Sequence, residues 1–190
     1  MRLRRVLPVL LTLTLLATGC GGGDSGGGGD EPAGGGHNAA DVAFATDMIP
    51  HHEQALRMVA MTEGRELSPD FEHLTEHVHD AQQPEIETMT GWLEDWDEPV
   101  PNGHVHHEGM DMSGMMTEDD FADLDAAGRS SFERMWLRMM IVHHEGAIEM
   151  SRTELDEGSY GPALELARSI IDSQSHEIDE MREMLSAPAG

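Results

Sequence analysis

Met48-Ile49-Pro50-His51-His52-Glu53-Gln54-Ala55 and, 92 positions on, Met140-Ile141-Val142-His143-His144-Glu145-Gly146-Ala147 are two versions of one segment. Paired histidines are poor general core fillers, because every buried imidazole brings two polar nitrogens that need partners. Sliding residues 47–93 against 139–185 without a gap matches fourteen of the 47 positions, among them Met58, Leu74, Asp80, Gln82, Glu85, Ile86, Met89 and Leu93 in the first copy. The chain is therefore read as an internal duplication.

Each copy carries two stretches with apolar residues at helical spacing, 39–63 and 69–96 in the first and 130–156 and 162–186 in the second. They break at Ser68-Pro69-Asp70, with Ser as N-cap and Pro at the first helical position, and at Gly158 to Pro162. Two such hairpins predict an all-α four-helix bundle. Pro50 and Pro84 fall inside helical stretches of the first copy, where kinks are expected. A short helix is expected to start at Thr117.

Outside the repeats, Arg2, Arg4 and Arg5 precede an apolar run to Leu16, and small residues lead into Cys20, the only cysteine. This is the pattern of a secretory signal with a lipobox-like cysteine, although Ala17 stands where that pattern prefers leucine. The organisation expected is a signal peptide over 1–20, a Gly-rich tether over 21–37, hairpin repeats over 38–98 and 117–186, and a His/Met-rich linker over 99–116. Cys20 is the expected lipidation site, anchoring the chain to the outer face of a membrane or in a periplasm. With 37 acidic residues against 11 arginines, no lysine and a formal net charge of -26, the chain excludes nucleic acid as a partner and favours cations.

At 100° per residue, Phe44, Met48, His51, Ala55 and Met58 form one stripe, with His52 nearer its edge and Glu53 pointing to solvent. Trp136, Met140, His143, Ala147 and Met150 repeat it, with His144 in the edge position. On the partner helices Gln82 and Gln174 sit mid-face, and Glu85 and Glu177 lie among apolar neighbours. Carboxylates and amides in such places need hydrogen bonds or an ion.

Imidazole, carboxylate and thioether thus converge twice, the ligand mixture of a transition-metal site. The expected ligands are His51, His52, Met48, Met58, Glu85 and Met89, with His143, His144, Met140, Met150, Glu177 and Met181, supported by Gln82 and Gln174. The linker adds His104, His106, His107, Met110, Met112, Met115 and Met116. Imidazole for Cu(II) together with thioether for Cu(I) points to copper, with another transition metal as the alternative.

The combined motifs, Met-Ile-x-His-His-Glu twice, Gln-x-x-Glu-Ile-x-x-Met at 82–89 and 174–181, and Gly114-Met115-Met116 before an acidic helix start, resemble the family called domain of unknown function 305 over residues 40–186. That resemblance implies a ferritin-like four-helix bundle of two repeats, usually secreted, some members being periplasmic copper binders that use His and Met. The function expected is a non-enzymatic metal-binding lipoprotein that buffers copper or hands it to another protein. A di-metal oxidoreductase competes with it, but such centres need about four inward carboxylates with Glu-x-x-His on two helices. Here only Glu76 and His79 have that spacing, and the second copy holds Arg168 and Ile171 instead. The third reading is a structural or interaction module whose buried polar residues form a hydrogen-bonded network.

Overall fold

The computed structural model describes residues 36–101 and 113–187. Among them are five helices and no strand: α1 (Ala39–Ala60), α2 (Pro69–Asp95), α3 (Glu118–Ala126), α4 (Arg129–Glu157) and α5 (Gly161–Ser186). α1 packs on α2, α4 on α5, and the two hairpins meet through α1 and α4, with α3 against α4. None of these helices is long and apolar enough to cross a membrane. The expected signal peptide, Cys20 and most of the expected tether lie outside the described residues.

Local chemistry sets the boundaries. Asn38 caps α1 by accepting from the Ala40 and Asp41 amides, while Asp41 reaches back to the Asn38 amide. Thr117 and Asp120 make the same capping box at α3, as the sequence suggested. α2 begins on Pro69 and ends with Asp97 in the left-handed region, the Glu98 amide donating to the Leu93 carbonyl. α1 and α2 continue as helices through Pro50 and Pro84.

The core is two apolar clusters separated by a polar layer. Met58, Phe71, Leu74, Val78, Trp136, Met140 and Met181 belong to one cluster. Phe44, Met48, Met89, Leu93, Met150 and Ile170 belong to the other. Each long helix places buried polar residues between the two clusters: His51 and His52 on α1, Gln82 on α2, His143 and His144 on α4, Gln174 and Glu177 on α5. The 92-residue offset exchanges the clusters, since Met58, Met140 and Met181 map onto Met150, Met48 and Met89. Both hairpins contribute to each cluster.

Side chains fasten the remaining pieces. The guanidinium of Arg57 forks onto Glu118 at 2.6 and 2.8 Å and lies 3.7 Å over the Phe121 ring, fixing α3 to α1. At the other end Tyr160 meets Trp92 and Trp96 edge-on, and His37 stacks on Trp96 at 4.3 Å.

Candidate metal centre

α1 and α4 cross at their histidine pairs. The His51 and His143 rings, occupying equivalent repeat positions, lie against one another with centroids 3.7 Å apart and planes inclined at 36°. On either side of this contact the geometry repeats. His52 Nε2 is 2.7 Å from Glu85 Oε2, and His144 Nε2 is 2.6 Å from Glu177 Oε2. Within each pair the rings are 6.5 and 6.4 Å apart, inclined at 55° and 54°.

This arrangement corrects the sequence reading in three respects. All four imidazoles are buried, so neither member of a pair lies at an edge. Glu85, half-buried, and Glu177, buried, each bond the second histidine of a pair, because that residue faces the partner helix of its own hairpin, while the first faces the other repeat. Glu53 is half-buried rather than solvent-facing; its counterpart Glu145 is exposed and pairs with Arg182 at 2.8 Å.

Every histidine of the layer has an Nδ1 without a partner among the described residues, and His143 lacks one on Nε2 as well. His51 Nε2 lies 3.2 Å from the Ser113 carbonyl, to which it donates, leaving Nδ1 with a lone pair and no partner. Neither ring nitrogen of His143 completes a hydrogen bond, nor does either polar atom of the Gln82 side chain or Gln174 Oε1. Buried polar atoms left this way each cost about 1–3 kcal/mol.

Burial, reinforced by the neighbouring imidazoles of His52 and His144 and opposed by the Ser113 carbonyl, lowers the His51 pKa to about 3. Burial likewise holds His143 well below its ordinary value, helped by repulsion from His51, His144 and His52 and opposed only slightly by the His51 carbonyl. Both rings are therefore neutral at physiological pH, the form in which imidazole ligates a metal.

The expected thioethers are distributed around this layer. Met48, Met89 and Met150 pack in one apolar cluster and Met58, Met140 and Met181 in the other, so they flank the imidazoles from both sides. Met116 packs beside the second of these clusters. Met115 is half-buried. His104, His106, His107, Met110 and Met112 lie outside the described residues. Among the described residues, no three His, Cys, Asp or Glu side chains converge as a metal-binding group.

The linker end is built into the site, which the sequence reading missed. Gln54 Nε2 donates to the Met116 carbonyl at 2.9 Å and Gln54 Oε1 accepts from the Met116 amide at 2.7 Å, an amide-to-backbone clamp. At the equivalent position of the second copy stands Gly146, where a Cβ would collide with the Ser113 carbonyl and come within 3.0 Å of Gly114 Cα. Gly114 has φ +76°, and a Cβ there would meet the Val142 carbonyl at 2.6 Å. The repeat position that clamps the linker in one copy thus makes room for it in the other. The signal was the replacement of Gln54 by Gly146.

Gly146→Ala is accordingly expected to destabilise the fold by about 1–3 kcal/mol, as overpacking does, and to weaken the His51–Ser113 bond. A urea midpoint unchanged from the parent would contradict this.

Helices organised around a buried histidine–carboxylate layer define the class of protein. The chain belongs to the family described as Domain of unknown function (DUF305), whose model matches residues 41–185. It is similar to a crystal structure of a putative secreted DUF305 protein from Streptomyces coelicolor, at 29% identity and a TM-score of 0.71, covering 77% of this chain and 91% of that one. A DUF305 fragment from Deinococcus radiodurans gives 30% identity and a TM-score of 0.70, covering 78% and 96%. CopM in its Cu(II)-bound form gives 31% identity and a TM-score of 0.65, covering 76% and 95%. CopM structures in Cu(I)-bound and apo forms are similar too. No curated protein matches the chain.

Proposed function

We propose that this protein binds copper outside the cytoplasm, buffering it or passing it to another protein, and is not itself an enzyme. The observation that carries the reading is the His51–His143 contact: two neutral imidazoles, buried together, with three ring nitrogens lacking partners. Hard cations prefer oxygen ligands, whereas copper takes imidazole in one oxidation state and thioether in the other. The methionines flanking the layer suit that demand, and CopM, a similar protein, is known in copper-bound forms.

His51 and His143 are the central ligands in this reading, with Met48, Met58, Met89, Met140, Met150 and Met181 as soft ligands within the core. His52 and His144 complete the imidazole set, and Glu85 and Glu177 orient them through their hydrogen bonds, a role whose loss in metal proteins typically costs about 10- to 100-fold in affinity. Gln82 and Gln174 stand beside them as outer supports. The linker residues His104, His106, His107, Met110, Met112, Met115 and Met116 form a separate copper-binding stretch in this reading. We read the four long helices as a ferritin-like bundle of two hairpins. Residues 1–20 are read as a signal peptide and Cys20 as a lipid attachment point, which would place the domain on the outer face of a membrane.

The test is metal analysis of the full-length protein purified without an affinity tag. We expect stoichiometric copper, and a loss of affinity exceeding about 100-fold in the His51→Ala, His143→Ala protein, since direct ligands outweigh their supports. His143→Leu, which fills the volume, should show the same loss without a cavity. Copper content and affinity unchanged in both variants would refute the assignment. Bound iron with oxidase activity would favour the di-metal enzyme instead.

A further inference from the structure

The two repeats differ at the openings that lead to the polar layer. Glu85 and Glu177, the carboxylates holding the outer histidines, are 14% and 11% exposed, so each touches both solvent and the buried imidazoles. In front of Glu177 lies a groove of about 660 Å³ between α2 and α5, lined by His77, Asp80, Ser173, His176 and Glu180. Glu177 is its most buried polar side chain and bonds His144 at 2.6 Å. One carboxylate therefore separates the groove from the imidazole layer.

Applying the 92-residue offset to this lining gives its counterpart around Glu85. His77 becomes Ser169, His176 becomes Pro84 and Glu180 becomes Thr88, while Asp80 remains acidic as Asp172. Imidazole and extra carboxylate thus stand on one side only. Packing does not account for the difference, because His77 and His176 are exposed and make no hydrogen bond among the described residues. The duplication preserved the inner layer in both halves and left one opening with metal-seeking side chains.

We propose that the α2–α5 groove is the port through which a transition-metal ion enters and leaves the buried layer. His77 and His176 capture the ion, and Asp80 and Glu180 concentrate cations at the mouth. This rests on the copper reading of the layer and adds a route to it. A port should bind loosely, or it would trap its cargo. Two exposed imidazoles meet that condition, since no three His, Cys, Asp or Glu residues among those described converge as a metal-binding group.

The test uses the full-length chain and CuCl2. With substoichiometric Cu(II), the ring resonances of His77 and His176 should broaden together while that of His37, exposed and stacked on Trp96 past the far end of α2, stays sharp. Cu(I) uptake from a chromophoric donor complex should slow about tenfold in the His77→Ser, His176→Ala protein, which loses the capturing imidazoles and keeps Asp80 and Glu180 to concentrate cations. Its final copper stoichiometry should not change. Equal broadening of these three histidines, or uptake at the parental rate, would overturn the port. If His77 and His176 broaden first but the layer takes up no copper, the groove is a surface site and the port fails together with the copper reading. Loss of uptake only in the His51→Ala, His143→Ala protein reports on the layer alone, so the two claims fail separately.

Discussion

Glutamine in place of Glu154 is expected to abolish a loss of stability of about 3–5 kcal/mol that the parent protein suffers between pH 4.5 and 8. Glu154 is only 1% exposed, near the end of α4, and faces Asp41. Asp41 accepts from the Ser159 and Tyr160 amides at 3.0 and 2.8 Å, from the Asn38 amide, and from the Ser159 hydroxyl, joining the start of α1 to the α4–α5 turn. Burial alone would raise the Asp41 pKa, but hydrogen bonds from Tyr160, Asn38, Glu154 and Ser159 outweigh it and keep Asp41 ionised.

Glu154 takes the opposite course. Burial, then its hydrogen bond to Asp41 and the charge there, raises its pKa to about 8. Below pH 4.5 the carboxyl is protonated in folded and unfolded chains alike, and nothing is lost. As pH rises towards 8, the unfolded chain releases a proton that the folded chain keeps, at about 1.36 kcal/mol per unit. Above pH 8 the loss is complete. Glutamine still donates to Asp41 but cannot ionise, so its variant should be the more stable above neutrality. Denaturant unfolding at pH 5 and pH 8.5 measures the difference, and parallel profiles for parent and variant would refute it. Gly158 is part of the arrangement, since a Cβ there would strike the Glu154 carboxyl.

Trp136→Ala should cost about 3–5 kcal/mol, a large part of the 5–15 kcal/mol that holds a typical domain together. Trp136 is fully buried in the cluster containing Phe71, to which it stands edge-on at 5.0 Å. Its indole N–H donates to the Met58 carbonyl at 2.8 Å, in the last turn of α1, where helix carbonyls lack intrahelical partners. Trp136→Phe retains most of the volume and forfeits that bond, for a smaller cost of about 1 kcal/mol beyond the packing change. Thermal unfolding of the three proteins gives the order parent, Phe, Ala. If Ala and Phe are equally stable, the cavity argument is wrong.

Much of the helical structure was legible in the sequence because its signals are local. Apolar spacing and the Ser68-Pro69 start signal placed the long helices within a few residues of their observed ends, and Thr117 marked the start of the short α3. The duplication showed that the polar residues belonged to one design. What the sequence could not reveal was which equivalent positions meet. Periodicity directs His51 inward but does not say that His143 lies opposite, nor that Glu85 reaches His52. The docking of Ser113 to Met116 depends on two glycines and one glutamine far apart in the chain, and no periodic pattern marks them. Asp41 and Glu154 escaped notice for a related reason: acidic residues abound here, and only contact between α1 and α4 distinguishes this buried pair.

The exchange of the two apolar clusters bears on how such a chain came to exist. Neither hairpin owns a complete cluster, since each supplies half of both, so a lone hairpin would leave two apolar faces open to water. A single-repeat ancestor with this packing could fold only as a pair of identical chains, its inner histidine touching its own copy on the symmetry axis. Joining the two halves in one chain makes that association intramolecular and independent of concentration. It also lets the halves differ, so that Gln54 holds the backbone of Met116 while Gly146 leaves space for Ser113 and Gly114.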